Sequence, residues 1–299
     1  MSLRFTVLAS GSSGNASLIE VDGFGLLLDA GLGPRNLAGR LTQIGVSWAH
    51  VHAAILTHTH ADHWSDRTFA HFVRKGIPLY CHAHHRRELG QFSAAVADLE
   101  AGNLIRTYHS RSAFSIADRI QCHPLAVRHD KYATFGFRFD VFDTSGESHC
   151  AIGYAADLGS WDAALANSLA DVDVLALEFN HDVHLERTSG RAAGLIARVC
   201  GDKGHLSNEQ AAGLLRAVIR RSRAGRLRHV VQLHLSRDCN RPALAVRAAR
   251  AVLEQHPTPI GLHTAGQFEP TQPLVLEPRV TNGFVRKRCL TPFLFPDME

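Results

Sequence analysis

The densest group of potential metal ligands in the sequence is the segment 57–63, which reads THTHADH and directly follows a short apolar run. At the end of an extended strand, side chains two residues apart point to the same side, so His58 and His60 can converge on one ion. Asp62 and His63 lie beyond the bend and can reach a second ion. Imidazole and carboxylate groups bind zinc, and also manganese or iron. The segment therefore predicts a metal site at a strand end.

A histidine-rich surface loop is the alternative interpretation, because the chain contains 20 histidines. The other histidines do not show the HxHxDH spacing, however, and this spacing has a structural reason at the end of a strand. The metal interpretation is therefore favoured.

The HxHxDH motif, preceded by an aspartate at the end of an earlier apolar strand, resembles the metallo-β-lactamase fold superfamily of metallohydrolases. The aspartate is Asp29, and the resemblance spans nearly the whole chain. Members of the superfamily have three further ligands in the order His, Asp, His. The candidates, each of which follows a short apolar run, are His129, Asp157 and His234.

The resemblance implies two divalent metal ions per chain, Zn²⁺ or alternatively Mn²⁺ or Fe²⁺. The implied ligands are His58, His60 and His129 for one ion, Asp62, His63 and His234 for the other, and Asp157 as the bridge. A hydroxide shared by the two ions would attack an ester or a phosphodiester. The predicted catalytic residues are Asp62, His205 and Asp29, the last of which would orient a ligand histidine by accepting its second N–H.

Four segments resemble the YycJ (WalJ) exonuclease-like branch of the superfamily, namely 9–15, 178–182, 204–208 and 234–236. The pair His129-Asp130 also suits that branch, whereas 131–137 is closer to the PhnP-like cyclic phosphodiesterases. Both groups cleave phosphodiesters. The resemblance therefore implies a phosphodiester substrate such as the ends of DNA or RNA. A homodimer is compatible with the family, although no heptad or exposed apolar stripe indicates one.

The segment 204–208 precedes an amphipathic helix whose start has the pattern of a capping box, formed by Ser207 and Gln210. A helix start offers free N–H groups and can receive a phosphate oxygen. His205 could then protonate the departing oxygen as a general acid. The alternative is that these residues only cap the helix. Together with the resemblance, the pattern favours a functional role, and the predicted substrate-side residues are Asn180, His181, Ser207 and Asn208.

Two further patterns leave alternatives open. The Gly/Ser loop 11–15 could cradle a phosphate with its N–H groups or form a tight connection between strands. The arginine-rich run 216–228 could follow a polynucleotide backbone, but a solvated helix face is the preferred interpretation. The net charge of +4 permits binding to nucleic acid without requiring it.

The order of secondary-structure patterns predicts an α/β protein, a four-layer αββα sandwich of two mixed β-sheets flanked by helices. The predicted strands are 3–9, 16–21, 25–29, 53–57, 121–127, 136–141, 150–156, 173–178 and 229–235. The predicted helices are about 34–43, 65–75, 86–100, 189–200, 208–222 and 241–255. Residues 1–299 are expected to form a single domain, in which the Pro-rich segment 264–299 is an extension that packs on the core.

Composition indicates a soluble cytoplasmic protein, because no membrane span or signal peptide is recognisable. The six cysteines include no CxxC pair, which favours reduced thiols. Besides a nuclease, two other functions remain open. One is a hydrolase of thioesters, lactones or β-lactams on the same metal site, and the other is a non-catalytic metal-binding or sensory protein.

Overall fold

The computed structural model describes residues 2–110, 112–131, 133–144, 146 and 148–277. The strands are β1 (Leu3–Ala9), β2 (Ala16–Val21), β3 (Phe24–Leu28), β4 (Ala53–Ile55), β5 (Leu79–His82), β6 (Ile105–Tyr108), β7 (Phe114–Ala117), β8 (Ile120–Val127), β9 (Thr134–Phe142), β10 (Ser148–Ala155), β11 (Val174–Glu178), β12 (His229–Leu233), β13 (Gly261–Thr264) and β14 (Leu274–Leu276). The helices are α1 (Pro34–Gln43), α2 (Asp66–Lys75), α3 (Ala83–Leu89), α4 (Ala94–Ala101), α5 (Ala163–Ser168), α6 (Val183–Arg187), α7 (Ala193–Val199), α8 (Asn208–Arg221) and α9 (Pro242–Leu253).

The strands form two mixed seven-stranded sheets. The first has the order β14-β1-β2-β3-β4-β5-β6, and the second has the order β13-β12-β11-β10-β9-β8-β7. In the first sheet β3 to β6 run parallel, and in the second sheet β10 to β13 run parallel. The remaining neighbours are antiparallel.

Three apolar clusters fill the spaces between the layers. Between the two sheets lie, among others, Phe5, Ile19, Phe137, Phe139 and Val231. The outer face of the first sheet packs against α1, α2 and α4 through side chains that include Leu18, Leu37, Leu41, Phe69 and Leu99. The outer face of the second sheet packs against α5, α8 and α9 through Leu165, Leu177, Leu214, Leu215 and Ala249. Leu18 and Ile19 point to opposite faces of β2, and Ala176 and Leu177 point to opposite faces of β11, so each sheet is apolar on both sides. The predicted four-layer sandwich is confirmed.

Local sequence signals explain where several helices begin and end. α1 begins at Pro34, whose fixed φ suits the first helical position. α2 ends at Gly76, which has a left-handed φ of 67°. The predicted capping box at the start of α8 is confirmed, because Ser207 and Gln210 each bond to the backbone N–H of the other.

Two predicted helices are wrong in their extent. The predicted helix 86–100 is interrupted between α3 and α4, where Ser93 caps the start of α4 by accepting from Val96 N–H. The predicted helix 189–200 consists only of α7, and Gly190, with φ 73°, separates it from α6. Both interruptions occur where a local turn or cap competes with the helical pattern.

The segment 264–299 is only partly described. Its β14 pairs antiparallel with β1 and so extends the edge of the first sheet. Residues 278–299 lie outside the described residues. Five short strands, β5, β6, β7, β13 and β14, were not predicted, because three or four residues are too few to show an alternating pattern. Among the described residues no helix has the length and apolar character needed to cross a membrane.

A close backbone approach joins the loop after β3 to the segment 57–63. A Cβ added at Gly31 would lie 1.8 Å from the backbone oxygen of Asp62 and 2.8 Å from the backbone nitrogen of Asn15. The same loop is tied to Asn15 by a bond from Gly31 N–H to its backbone oxygen. Only glycine fits here without moving backbone.

The substitution Gly31→Ala should lower the free energy of unfolding by about 1–3 kcal/mol, because the clash involves backbone atoms that cannot rotate away. Urea denaturation of the purified variant measures this loss. Gly39→Ala is the matched control, since Gly39 lies within α1 and an added Cβ meets nothing within 4 Å. The control should gain about 0.5–1 kcal/mol through higher helix propensity. An unchanged stability of Gly31→Ala would contradict the close approach.

Candidate metal centre

The candidate site lies where strand ends from both sheets meet. The first sheet supplies Asp29 after β3 and the segment 57–63 after β4. The second sheet supplies His129 after β8, Asp157 after β10 and His234 after β12. The carboxyl ends of parallel strands share one edge of a sheet, so residues distant in sequence come together there. The structure brings all seven predicted ligands into adjoining groups.

The first group consists of His58, His60 and His129, whose potential ligand atoms all lie within 4.8 Å of one another. His129 donates from Nδ1 to the backbone oxygen of Gly204 at 2.7 Å, which leaves its Nε2 as an acceptor. That Nε2 lies 3.3 Å from His60 Nδ1. His58 is fully buried, and its Nδ1 lies 3.0 Å from Thr57 Oγ1. The geometry fixes ring orientation before any ion is bound.

The second group consists of Asp62, His63 and His234, again within 4.8 Å. His234 Nε2 lies 3.3 Å from Asp62 Oδ2, and His63 Nε2 lies 3.6 Å from the same oxygen. Asp29 approaches the far side of the His63 ring, with its Oδ2 2.8 Å from Nδ1. The Asp29 carboxylate also accepts from the N–H and the hydroxyl of Thr57. Asp29 thus holds both the ring and the strand end.

Asp157 lies between the two groups. Its Oδ2 is 2.7 Å from His63 Nε2 and 3.8 Å from His58 Nε2, while its Oδ1 is 2.9 Å from His234 Nδ1. Each group therefore has at least one histidine facing this carboxylate. The carboxylate is buried, as a bridging ligand between two ions would be.

The side chains present fit a pair of divalent ions. His58 Nε2 is buried and makes no hydrogen bond within the described part of the chain, and the nearest oxygen of Asp157 is 3.8 Å away. Buried polar atoms are rarely left in this way unless an ion or a water satisfies them. Burial and the nearby His63 lower the pKa of His58 well below its usual value, so the imidazole is neutral, as a metal ligand must be. The nitrogen and oxygen donor set is compatible with a dinuclear site.

The carboxylates also control the electrostatics of the centre. Burial alone would lower the pKa of His63, but the carboxylates of Asp29, Asp157 and Asp62 raise it to about 10. The pKa of Asp157 is held well below its usual value because His234 and His63 outweigh the effect of burial. In the chain without ions, protonated histidines thus balance the buried negative charge. Cations bound at the same place would balance it instead.

Three non-glycine residues at the site have left-handed backbone conformations. These are Asp29 (φ 60°), Asp130 (φ 42°) and His234 (φ 55°). Such conformations are uncommon outside glycine and are concentrated at functional sites. Each one turns the chain sharply at or just beyond a predicted site residue.

Glu178 is a site residue that sequence analysis missed. It is fully buried at the end of β11, and its Oε1 lies 2.7 Å from His205 Nδ1 and 3.1 Å from His234 Nδ1. Its Oε2 accepts from the backbone N–H groups of Leu158 and Leu206. Glu178 therefore orients both histidines. The sequence signal for its role is a charged residue at the end of an otherwise apolar strand.

Asn15 and Asp130 were likewise not assigned to the site. Asn15 Nδ2 lies 3.2 Å from Asp62 Oδ2 and 3.0 Å from His63 Nε2. Asp130 Oδ2 lies 3.0 Å from His60 Nε2, and the same carboxylate pairs with Arg198. Both residues thus contact predicted ligands directly and help to position them.

The predicted substrate-side residues lie together and face inward. His181 and Ser207 form an isolated backbone bridge. Asn180 Nδ2 donates to the backbone oxygen of His234 at 2.9 Å, and Asn208 Nδ2 donates to Asn240 Oδ1 at 3.0 Å. These side chains are buried and support the strand ends, and their contact with a substrate stays a prediction.

Hydrogen bonds made by the Asn15 side chain and by the loop backbone close the loop 11–15. Asn15 Oδ1 accepts from Gly11 N–H at 2.8 Å, while the N–H groups of Gly14 and Asn15 bond to the backbone oxygens of Gly11 and Asp62. These three N–H groups are therefore engaged internally. Of the two interpretations of this loop, a tight connection fits better.

Comparison with known proteins supports the same relationship. The family model described as the beta-lactamase superfamily domain matches residues 25–227. The exodeoxyribonuclease WalJ of Streptococcus pneumoniae serotype 2 is 29% identical over 249 residues, covering 81% of this chain and 85% of the relative. The exodeoxyribonuclease YycJ of Bacillus anthracis is 26% identical over 261 residues, covering 85% and 90%.

Solved structures share the fold at low sequence identity. The metallo-β-lactamase fold protein YhfI of Bacillus subtilis has a TM-score of 0.64 at 15% identity, with 91% of this chain and 99% of that chain covered. A diphosphatase of the PhnP family has a TM-score of 0.59 at 17% identity, with 92% and 98% covered. The predicted resemblances are confirmed, and the chain belongs to the metallo-β-lactamase superfamily.

Proposed function

We propose that the protein is a metal-dependent phosphodiesterase that removes nucleotides from DNA ends. The observation that supports this most directly is the hydrogen-bonded pair of Glu178 and His205 beside the candidate metal groups. Relatives that match most of the chain are exodeoxyribonucleases. Two divalent ions held by the candidate ligands would make water nucleophilic at neutral pH and polarise the phosphoryl oxygens.

The chain itself provides the positioning. Asp29 fixes one ring nitrogen of His63, and Gly204 fixes one ring nitrogen of His129, so each presents its other nitrogen to the site. Asp130 holds the outer nitrogen of His60 in the same way. The site is thus organised before substrate binds, which lowers the cost of reaching the transition state.

His205 supplies the proton for the leaving oxygen. Its Nδ1 lies between Glu178 Oε1 at 2.7 Å and Asp157 Oδ1 at 3.3 Å. Burial alone would lower the pKa of His205, but these two carboxylates raise it to about 9. The imidazole side chain is 21% exposed, whereas Glu178 is fully buried. An imidazole that solvent can reach, held by a buried carboxylate, fits a general acid for an alkoxide leaving group.

His60→Ala should lower hydrolysis of bis(p-nitrophenyl) phosphate by more than about 100-fold, because a candidate ligand is removed. Elemental analysis of the same preparation should show less metal per chain than the wild type. His109→Ala is the control, since His109 is an exposed histidine outside the site, and it should retain both metal and activity. Full activity in His60→Ala would contradict the assignment. Thioester and nitrocefin substrates, assayed in parallel, should not be turned over by the wild type.

His205→Ala should slow cleavage according to the leaving group. Turnover of the dinucleotide TpT, whose leaving group is an alkoxide, should fall about 10²–10⁴-fold, because no acid protonates that oxygen. Turnover of thymidine 5′-(p-nitrophenyl phosphate) should fall less than about 10-fold, because nitrophenolate leaves without a proton.

Steady-state kinetics on these two substrates, together with metal analysis, check the role of His205. Metal content should equal that of the wild type. An equal loss on both substrates, or a loss of metal, would show that His205 is not the general acid. Glu178→Gln is the supporting variant, and it should show the same dependence on leaving group because it weakens the partner of His205.

A further inference from the structure

A basic cleft lies between the start of α1 and the exposed face of α2. Its volume is about 540 Å³, and its lining includes Arg35 and Asn36 of α1 and Arg67, Ala70 and Arg74 of α2. Arg67, Ala70 and Arg74 are three and four residues apart, so they share one face of the helix. We call this feature the arginine cleft.

The positive charge of the arginine cleft is not neutralised within the described part of the chain. There, Arg35 and Arg67 take part in no hydrogen bond and no ion pair, and Arg74 forms no ion pair and one hydrogen bond, with His71 at 3.4 Å. All three arginines are exposed, and no Asp or Glu is among the described residues that line the cleft. Three guanidinium groups in one concave surface attract an anion with several charges.

The arginine cleft lies next to the candidate metal centre. β3 and β4 are parallel neighbours, α1 follows the loop after Asp29, and α2 follows the segment 57–63. The loop after β3 contacts both the segment 57–63 and α2, because Gly31 packs on Asp62 and Thr68 Oγ1 of α2 donates to the backbone oxygen of Leu32 at 2.6 Å. The arginine cleft and the metal centre are therefore both formed by the connections that follow β3 and β4.

α1 begins at the arginine cleft, and the first turn of α2 contributes Arg67 to its lining. Neither Gly33 at the start of α1 nor Ser65 at the start of α2 caps its helix with a side-chain hydrogen bond. Their terminal N–H groups and helix dipoles therefore add to the positive potential of the arginines. This contribution is secondary to the three guanidinium charges.

An exposed aromatic residue lies on the neighbouring loop. Phe92, between α3 and α4, is 77% exposed, which is the largest exposure among the large apolar residues described. Its neighbour Ser93 lies 2.5 Å from Asp66, the first residue of α2. Phe92 thus lies on a loop that contacts the start of α2, and an exposed aromatic ring can stack on an unpaired base.

We propose that the arginine cleft binds backbone phosphates of a single-stranded DNA segment whose end lies at the metal centre. The proposal rests on the function proposed above and adds to it the path of the strand. Arg67 and Arg74 are about 10 Å apart along α2, which is longer than one phosphate group. The cleft therefore suits a polymer better than a mononucleotide diester.

The double variant Arg67→Ala/Arg74→Ala tests the path of the strand. Fluorescence anisotropy measures binding of the full-length, metal-loaded protein to a labelled T20 oligonucleotide with phosphorothioate linkages, which resist cleavage. Affinity in 0.1 M salt should fall at least 10-fold. The slope of log K against log[salt] should become shallower by about 1.4, because about 0.7 is lost for each single-strand phosphate contact.

The matched control is Arg216→Ala/Arg220→Ala, which removes the same charge from two exposed positions on α8. Its affinity should stay within about twofold of the wild type, as should bis(p-nitrophenyl) phosphate turnover in both double variants. An unchanged affinity of the cleft variant, an equal loss in the α8 variant, or no strand binding by the wild type would each overturn the proposal.

Hydrolysis of bis(p-nitrophenyl) phosphate tests the proposed function without testing the arginine cleft, because this diester is too small to reach from the metal centre into the cleft. A wild type that hydrolyses bis(p-nitrophenyl) phosphate without binding the strand would refute the arginine cleft alone. A wild type that binds the strand through the cleft but hydrolyses neither bis(p-nitrophenyl) phosphate nor TpT would refute the proposed function alone.

Discussion

The burial of three carboxylates, Asp29, Asp157 and Glu178, is the constraint on which the site depends. A buried carboxylate is costly unless positive charge or hydrogen bonds compensate it. Each of the three faces at least one imidazole within 3 Å, and the two oxygens of Asp157 face different histidines. The contacts that hold the histidines in place therefore also offset the free-energy cost of burying the carboxylates. Removal of one of these histidines would leave a buried carboxylate with less compensating positive charge.

This constraint also explains why the site needs the complete sandwich. The first sheet contributes Asp29 and the segment 57–63, and the second contributes His129, Asp157 and His234. The His63–Asp157 contact at 2.7 Å crosses from one sheet to the other. A shift of one residue in strand register would turn such side chains to the wrong face. The site therefore forms only when the two sheets pack in the correct register.

Sequence analysis could locate the candidate ligands because each lies at the end of a short apolar run, which is a local signal. It could not pair Glu178 with His205 and His234, which are 27 and 56 residues away and meet it only through parallel strand pairing. The interruption of the predicted helix 86–100 was missed for another reason. The Ser93 cap is supported by a contact with Asp66, which belongs to a different helix. The position of Glu178 and the break at Ser93 depend on tertiary contacts, which the periodicity of the sequence does not reveal.

The two groups of arginines show why local density is a poor guide to binding. The run 216–228 is conspicuous in the sequence, but Arg226 and Arg228 form ion pairs with buried Asp173, and Arg223 pairs with Asp171. Much of its charge therefore stabilises the second sheet. The arginines of the cleft are scattered along the chain and converge only because α1 and α2 follow adjacent parallel strands. Within the described chain, an acidic partner and a three-dimensional position separate structural arginines from those available to an anionic ligand.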